Sequence, residues 1–135
     1  MTEYGHKYAS QTIANAKALG QALADEGVNV EAEEFGFTES HQLALNVIDF
    51  GDAKTIARSL AEQNNIITNY NLLPGDKDPN NPSGLRIGVQ EMTRYGMKET
   101  DMQELAPLIK AGLEGKVIKD QVVQLRGRFT KVHYA

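Results

Sequence analysis

Two stretches in which apolar and polar residues alternate predict the strands of a sheet. In the segment 41–49, Leu43, Leu45 and Val47 share one face, and the other face also carries apolar residues, among them Ile48. Because both faces are partly apolar, this strand is predicted to lie centrally in the sheet. The segment 85–89 repeats the alternation. Shorter strands are predicted at 28–30, at the edge of the sheet, and at 66–68.

Apolar residues at intervals of three and four positions predict four helices. These helices span residues 8–26, 52–64, 97–115 and 117–128. Gly27 is expected to stop the first helix and Asp52 to cap the second, while Thr100 and Gln103 have the spacing of a capping box. Residues 69–82 hold three prolines and are predicted to form a long irregular loop.

This order of elements, α-β-β-α-β-β-α-α, predicts an α+β fold with a small, mostly antiparallel sheet of three or four strands. Helices would cover one face of the sheet, and the other face would stay open unless a partner covers it. A chain of 135 residues with 41% hydrophobic residues suits a single domain, residues 1–135.

Composition excludes several classes of function. The net charge of -4 argues against nonspecific binding of nucleic acid, and no apolar run is long enough to span a membrane. The absence of cysteine excludes disulfides and thiolate zinc sites, and it fits a cytoplasmic protein. The three histidines are widely separated in sequence, so no metal site is expected.

Arg86 is the first candidate for chemistry, since it leaves the predicted strand on the face opposite Leu85 and Ile87. Glycines at 84 and 88 flank it, and their small size lets a chain segment or a ligand approach closely. A guanidinium presents a planar fork of donors that matches a carboxylate or a phosphate. Taken alone, this local pattern is more typical of a solvated or ion-paired surface arginine.

The amino-acid sequence around Arg86 resembles that of the C-terminal small domain of serine hydroxymethyltransferases. The sequence Ser-Gly-Leu-Arg-Ile-Gly at 83–88 is followed by Met-Thr-Arg-Tyr-Gly-Met-Lys-Glu at 92–99. The similarity extends to Asn-Ala-Lys-Ala-Leu at 15–19 and Asn-Tyr-Asn at 69–71. Glu-Ser-His-Gln at 39–42 and Gly-Val-Gln-Glu at 88–91 look most like the archaeal-type branch.

This resemblance implies a fold-type I pyridoxal-phosphate enzyme whose large domain, with the Schiff-base lysine, is not in this chain. The full-length parent would interconvert serine and glycine with tetrahydrofolate and would form a homodimer or homotetramer. The isolated fragment, which would lack catalytic residues, is expected to be inactive. Its partners would be the large domain of the parent chain and the amino-acid substrate.

The resemblance also implies roles for individual residues. Arg86 would hold the carboxylate of the amino acid, and Asn71 would contribute to the folate site, although Tyr70 stands where the family loop has lysine. Asn71 could instead be a turn residue bonded to its own backbone. His41 matches a family histidine and could be a site residue, or a hydrogen-bonded residue at a strand end. Arg94 could assist with an anion or lie on the surface.

Two alternatives remain open. One is a threonine aldolase or transaldolase on the same scaffold, which would keep Arg86 and dispense with folate. The other is a stand-alone, non-catalytic binding module that has the fold without a catalytic domain.

Overall fold

Alternating helices and strands build the fold of the computed structural model, which describes residues 3–31, 42–64, 66, 68–71, 73, 76 and 82–131. Their bounds are α1 Glu3–Asp25, β1 Asn29–Val30, β2 Gln42–Asn46, α2 Ala53–Asn64, β3 Asn69–Asn71, β4 Gly84–Gly88, α3 Gln90–Arg94, α4 Glu99–Leu113 and α5 Lys119–Gly127. The predicted α+β class is confirmed. The short helix α3 is an addition to the predicted order.

The four strands form one antiparallel sheet in the order β1-β2-β4-β3. The predicted central position of β2 and edge position of β1 are therefore confirmed. In the register between β2 and β4, Leu45 pairs with Leu85 and Ala44 pairs with Arg86. Directly paired residues share a face of the sheet, so the two leucines lie on one face and Ala44 and Arg86 on the other.

The hydrophobic core lies between the leucine face of the sheet and the helices. α1 and α2 contact the sheet, α4 packs across α1, and α5 packs on α2 and α4. Leu19 of α1 and Leu60 of α2 are fully buried with Leu45 and Leu85. Because these side chains belong to one contiguous cluster, burial of the helical stripes and of the strand aliphatics stabilises the same core.

The predicted end of α1 and the predicted start of α2 are confirmed by their caps, whereas α1 begins at Glu3, five residues earlier than predicted. Gly27 has φ +86°, and the N–H of Val28 donates to the carbonyl of Leu23 at 3.0 Å, which closes a Schellman motif. At the start of α2, Asp52 Oδ2 accepts from the N–H of Thr55 at 3.0 Å.

The prediction of a strand at 66–68 is wrong, since the third strand is β3 at Asn69–Asn71. The N–H of Ile66 donates to the carbonyl of Leu60 at 2.9 Å and the Ile66 side chain is buried, so Ile66 is held against the last turns of α2 instead of pairing in the sheet. The ladder with β4 begins only at Asn69, opposite Arg86. Asn69–Asn71, which were predicted to belong to the long loop, are therefore strand residues.

The capping box predicted at Thr100 and Gln103 is also wrong, because α4 begins at Glu99. Lys98 is the N-cap residue, and its backbone N–H donates to Asp101 Oδ2 at 2.8 Å. A lysine side chain has no acceptor, so it cannot complete the reciprocal half of a capping box. The Asp101 carboxylate therefore satisfies the backbone N–H of Lys98 at the start of α4, and the Lys98 side chain caps nothing in return.

Candidate functional site

The open face of the sheet carries Arg86. Leu85 and Ile87 are 0% and 3% exposed, while Arg86 between them is exposed. This alternation confirms the orientation predicted from the sequence, in which the arginine leaves the sheet away from the core. The role of Arg86 in binding a substrate stays a prediction.

The neighbours of Arg86 are small or amide-bearing residues. Arg86 pairs with Ala44 of β2 and with Asn69 of β3. Two residues along the strands, on the same face, Asn46 pairs with Gly84. We call the surface formed by these residues and Gly88 the Arg86 face. Within the four described strands, Arg86 is the only charged residue. The strands thus place a single positive charge among neutral groups, an arrangement suited to a carboxylate or phosphate.

The glycine at 88 makes room for the side chain of Gln90. A Cβ atom built on Gly88 would lie 3.3 Å from the carboxamide carbon of Gln90, 3.6 Å from Nε2 and closer still to Oε1. Gly88 shares the face of Arg86, so the Gln90 carboxamide lies over this part of the Arg86 face. The sequence pattern predicts a ligand or another chain segment beside this glycine, and it does not predict the Gln90 side chain there. The pattern of a glycine at a strand end with an amide two residues later is its only sequence signal.

A buried polar network fixes the turn that follows β4. Asn15 Nδ2 of α1 donates to Thr93 Oγ1 and to the carbonyl of Met97, both at 2.8 Å. Thr93 Oγ1 in turn donates to the carbonyl of Val89 at 2.8 Å. Asn15 and Thr93 are both 0% exposed. Because these buried groups are hydrogen-bonded, the network holds the end of β4 against α1 in one geometry.

Asp76 joins the two ends of the segment between β3 and β4. Its carboxylate accepts from the N–H of Leu73 at 2.8 Å, from the Ser83 hydroxyl at 2.7 Å and from the Ser83 N–H at 3.1 Å. These bonds, led by the one from Leu73, lower the pKa of Asp76 because they favour the ionised form. Asp76 therefore helps to bring the chain into β4 directly ahead of Arg86.

The register places the position of Asn71 opposite Gly84, on the Arg86 face. Its backbone belongs to β3, and a role for Asn71 in a folate site stays a prediction. Tyr70 pairs with Leu85 and therefore lies on the opposite face, where Lys54 Nζ is 5.4 Å from the centroid of its ring. The sheet thus brings Arg86 and Asn71 to one face and separates Tyr70 from them. His41 lies outside the described residues.

Arg94 lies on α3 rather than on a strand. Its Nη1 is 3.7 Å from Glu91 Oε1, and the side chains are 43% and 63% exposed. Such an exposed pair contributes little to stability. A role for Arg94 in binding an anion stays a prediction.

The strands that form the Arg86 face offer no attachment point for a cofactor bound through a lysine. None of the four strands contains a lysine. On the helices, Lys110 Nζ donates to the carbonyl of Glu26 at 2.6 Å, and Lys54 lies over Tyr70. In the described part of the chain, no group of three or more potential ligands could hold a metal ion, and no helix is long and apolar enough to cross a membrane.

An apolar cleft of about 830 Å³ lies where α3, α4 and α5 meet the end of β4. Met92, Leu105 and Val122 are among its walls, and its charged lining residues are Glu91 and Arg126. The walls are largely side chains of the core. The Arg86 face presents its polar groups together, so we place the candidate site there.

These features define a small α+β domain that presents one guanidinium from an amide-lined sheet. The family model for serine hydroxymethyltransferase matches residues 1–109, and the chain belongs to this family. The resemblance found in the sequence is thereby confirmed.

Curated relatives agree with this assignment. The serine hydroxymethyltransferase of Methanobrevibacter smithii is 51% identical over 138 residues, covering 100% of this chain and 32% of that protein. The enzyme of the same name from Saccharolobus islandicus is 49% identical over 140 residues, covering 99% of this chain and 32% of its own length. The chain thus spans about a third of the length of these relatives.

A solved structure extends the comparison. The crystal structure of L-threonine transaldolase from Pseudomonas fluorescens in its internal aldimine state matches with a TM-score of 0.84 and 30% sequence identity. The match covers 98% of this chain and 31% of that protein.

Proposed function

We propose that the chain is the C-terminal domain, residues 1–135, of an enzyme that interconverts serine and glycine with tetrahydrofolate. In this proposal Arg86 binds the carboxylate of the amino acid. The observation that carries it is the exposed Arg86 on an amide-lined sheet face, within a chain of the serine hydroxymethyltransferase family. The parent enzyme, its large domain and its assembly as a homodimer or homotetramer in the cytoplasm belong to the same proposal.

The contribution of this chain is to bind and orient the substrate. Two parallel N–H groups of the Arg86 guanidinium would donate to the two carboxylate oxygens, which fixes the distance and the plane of the amino acid. Restricting the substrate to one orientation lowers the entropic cost of the reaction. Pyridoxal phosphate belongs to the proposal as a group held by residues outside the described part of this chain.

The folate site is the second part of the proposal, and it rests on Asn71. The register of β3 puts this position on the same face as Arg86, so one surface could serve both the amino acid and the folate. Tyr70, which stands in place of the family's lysine, occupies the opposite face.

A threonine aldolase or transaldolase without folate is the second candidate. It is favoured by the structural match to an L-threonine transaldolase and by the replacement of lysine by Tyr70. A free-standing binding module is the third candidate. The reading frame upstream of this chain distinguishes it from the two enzymes, because only an enzyme would encode a large domain with a Schiff-base lysine there.

The test uses the full-length protein and compares wild type with Arg86→Lys. Lysine replaces the two-point fork with a point charge. Loss of one charge-assisted hydrogen bond costs about 1.5–3 kcal/mol, so we expect kcat/KM for serine to fall by at least about tenfold. Thermal stability and cofactor content should not change, because Arg86 is exposed on the face of β4 that turns away from the core.

The matched control is Arg58→Lys, which makes the same chemical change at an exposed position of α2 and should leave kcat/KM within about twofold of wild type. Normal turnover of the Arg86 variant would remove this residue from the site. Serine cleavage is then measured with and without tetrahydrofolate. A rate that does not depend on tetrahydrofolate would favour the aldolase or transaldolase alternative.

A further inference from the structure

The carboxamide of Gln90 and the guanidinium of Arg86 belong to the same face of the sheet. The carboxamide lies over Gly88, two residues beyond Arg86 on β4. Residues two apart on a strand face the same side and are separated by about 6.7 Å. This is the spacing of two neighbouring backbone positions on one face, and both polar groups stand on long side chains, so one small ligand on this face can contact both.

The backbone beneath Gln90 is held in place. Tyr8 Oη of α1 donates to the carbonyl of Gln90 at 3.0 Å, and the N–H of Thr93 donates to the carbonyl of Val89 at 3.0 Å. The side chain of Gln90 is half-buried and occupies space that any Cβ at residue 88 would need. Gln90 is therefore positioned by the absence of a side chain at Gly88.

We propose that Gln90 is a second binding residue of the amino-acid subsite, with Nε2 donating to the carboxylate that Arg86 holds. This inference rests on the proposed function and adds a specificity-determining residue to it. A carboxylate has about four lone-pair positions, and the arginine fork occupies two of them. A neutral amide donor can fill a third position without adding a charge next to the guanidinium.

The first test replaces Gln90 in the full-length protein. Gln90→Met keeps an unbranched chain of similar length and removes the amide, while Gln90→Glu keeps the shape and adds a negative charge. Removing this hydrogen bond to a charged carboxylate should raise KM for serine by at least about tenfold and leave kcat within about twofold. Gln90→Glu should raise KM further, since its carboxylate repels that of the substrate.

The second test uses Gly88→Ala. The Cβ would meet the far end of a flexible side chain, so the carboxamide should move aside while the strand is retained. We expect Gly88→Ala to raise KM about as much as Gln90→Met does. The double variant should be no worse than either single variant, because both changes remove the same contact. Glu91→Gln, the next residue along α3, is the control and should leave KM unchanged.

The outcomes separate this inference from the proposed function. If Arg86→Lys lowers kcat/KM but both Gln90 variants keep the wild-type KM, the inference is overturned and the proposed function stands. If Arg86→Lys has no effect either, both fall. Additive effects of Gly88→Ala and Gln90→Met, or a lowered Tm with unchanged KM, would also overturn it, since Gln90 would then act only in the fold.

Discussion

At the scale of single residues, the entry of the chain into β4 depends on one carboxylate. Asp76 accepts hydrogen bonds from Leu73 and from both the backbone and the hydroxyl of Ser83. The carbonyl of Ser83 also accepts from the N–H of Val47, directly beyond β2. Asp76 thus connects the segment after β3 with the point where β4 joins the sheet, three residues before Arg86.

Asp76→Asn should lower thermal stability at neutral pH and have less effect in acid. The hydrogen bonds lower the pKa of Asp76 in the folded protein below that of the unfolded chain. Its ionised form therefore stabilises the fold above about pH 4, the ordinary range of an aspartate, and this contribution is lost as pH falls through the lowered pKa.

The measurement is the difference in Tm between wild type and Asp76→Asn at pH 7 and at about pH 3. Glu62→Gln, an exposed change on α2, controls for the loss of one negative charge. A difference in Tm that grows as the pH falls would contradict the assigned role.

At the scale of elements, β2 separates a closed face from an open one. Leu45 is fully buried, whereas Ile48, just beyond the strand, is 66% exposed. The sequence placed apolar residues on both faces of this strand and correctly predicted its central position. The central position comes from pairing with both β1 and β4, and the face away from the core leaves Ile48 exposed.

Leu45→Ala should lower the free energy of unfolding by about 2–5 kcal/mol, as expected when a fully buried leucine leaves a cavity. Ile48→Ala removes a comparable amount of aliphatic side chain three residues away and should cost no more than about 0.5 kcal/mol. Denaturant titrations with equal m-values would give both numbers. Similar losses for the two variants would mean that a core contact of Ile48 had been missed.

The sequence predicted the elements whose pattern is local and missed those set by distant contacts. Helical stripes and the alternation in β4 are visible along the chain, so α1, α2 and the outward direction of Arg86 follow from them. β3 has the sequence Asn-Tyr-Asn, without an apolar alternation, and only its pairing with β4 makes it a strand. The position of Gln90 depends on a side-chain contact across Gly88, which no periodicity reports.

At the scale of the whole molecule, the core and the candidate site are separate. All the large helices and the leucine face of the sheet contribute to one hydrophobic cluster. On β4, the residues that share a face with Arg86 are Gly84 and Gly88. This face of β4 therefore adds no aliphatic side chain to the hydrophobic cluster. We therefore expect the stability of the domain and the proposed binding of substrate to depend on different residues of the same strands.

The isolated 135-residue chain should consequently fold without cofactor and without a partner. Its core is contiguous and is completed by its own helices, so thermal unfolding should be a single cooperative transition. Addition of pyridoxal phosphate should neither raise Tm nor produce a borohydride-reducible aldimine on a specific lysine, since no strand provides a lysine beside Arg86. Labelling of exposed lysine side chains at high concentrations of pyridoxal phosphate is the control for nonspecific reaction. A dye-binding state without a cooperative transition would show that the core needs the rest of the proposed parent enzyme. Stoichiometric labelling of one lysine would show that this chain holds the cofactor itself.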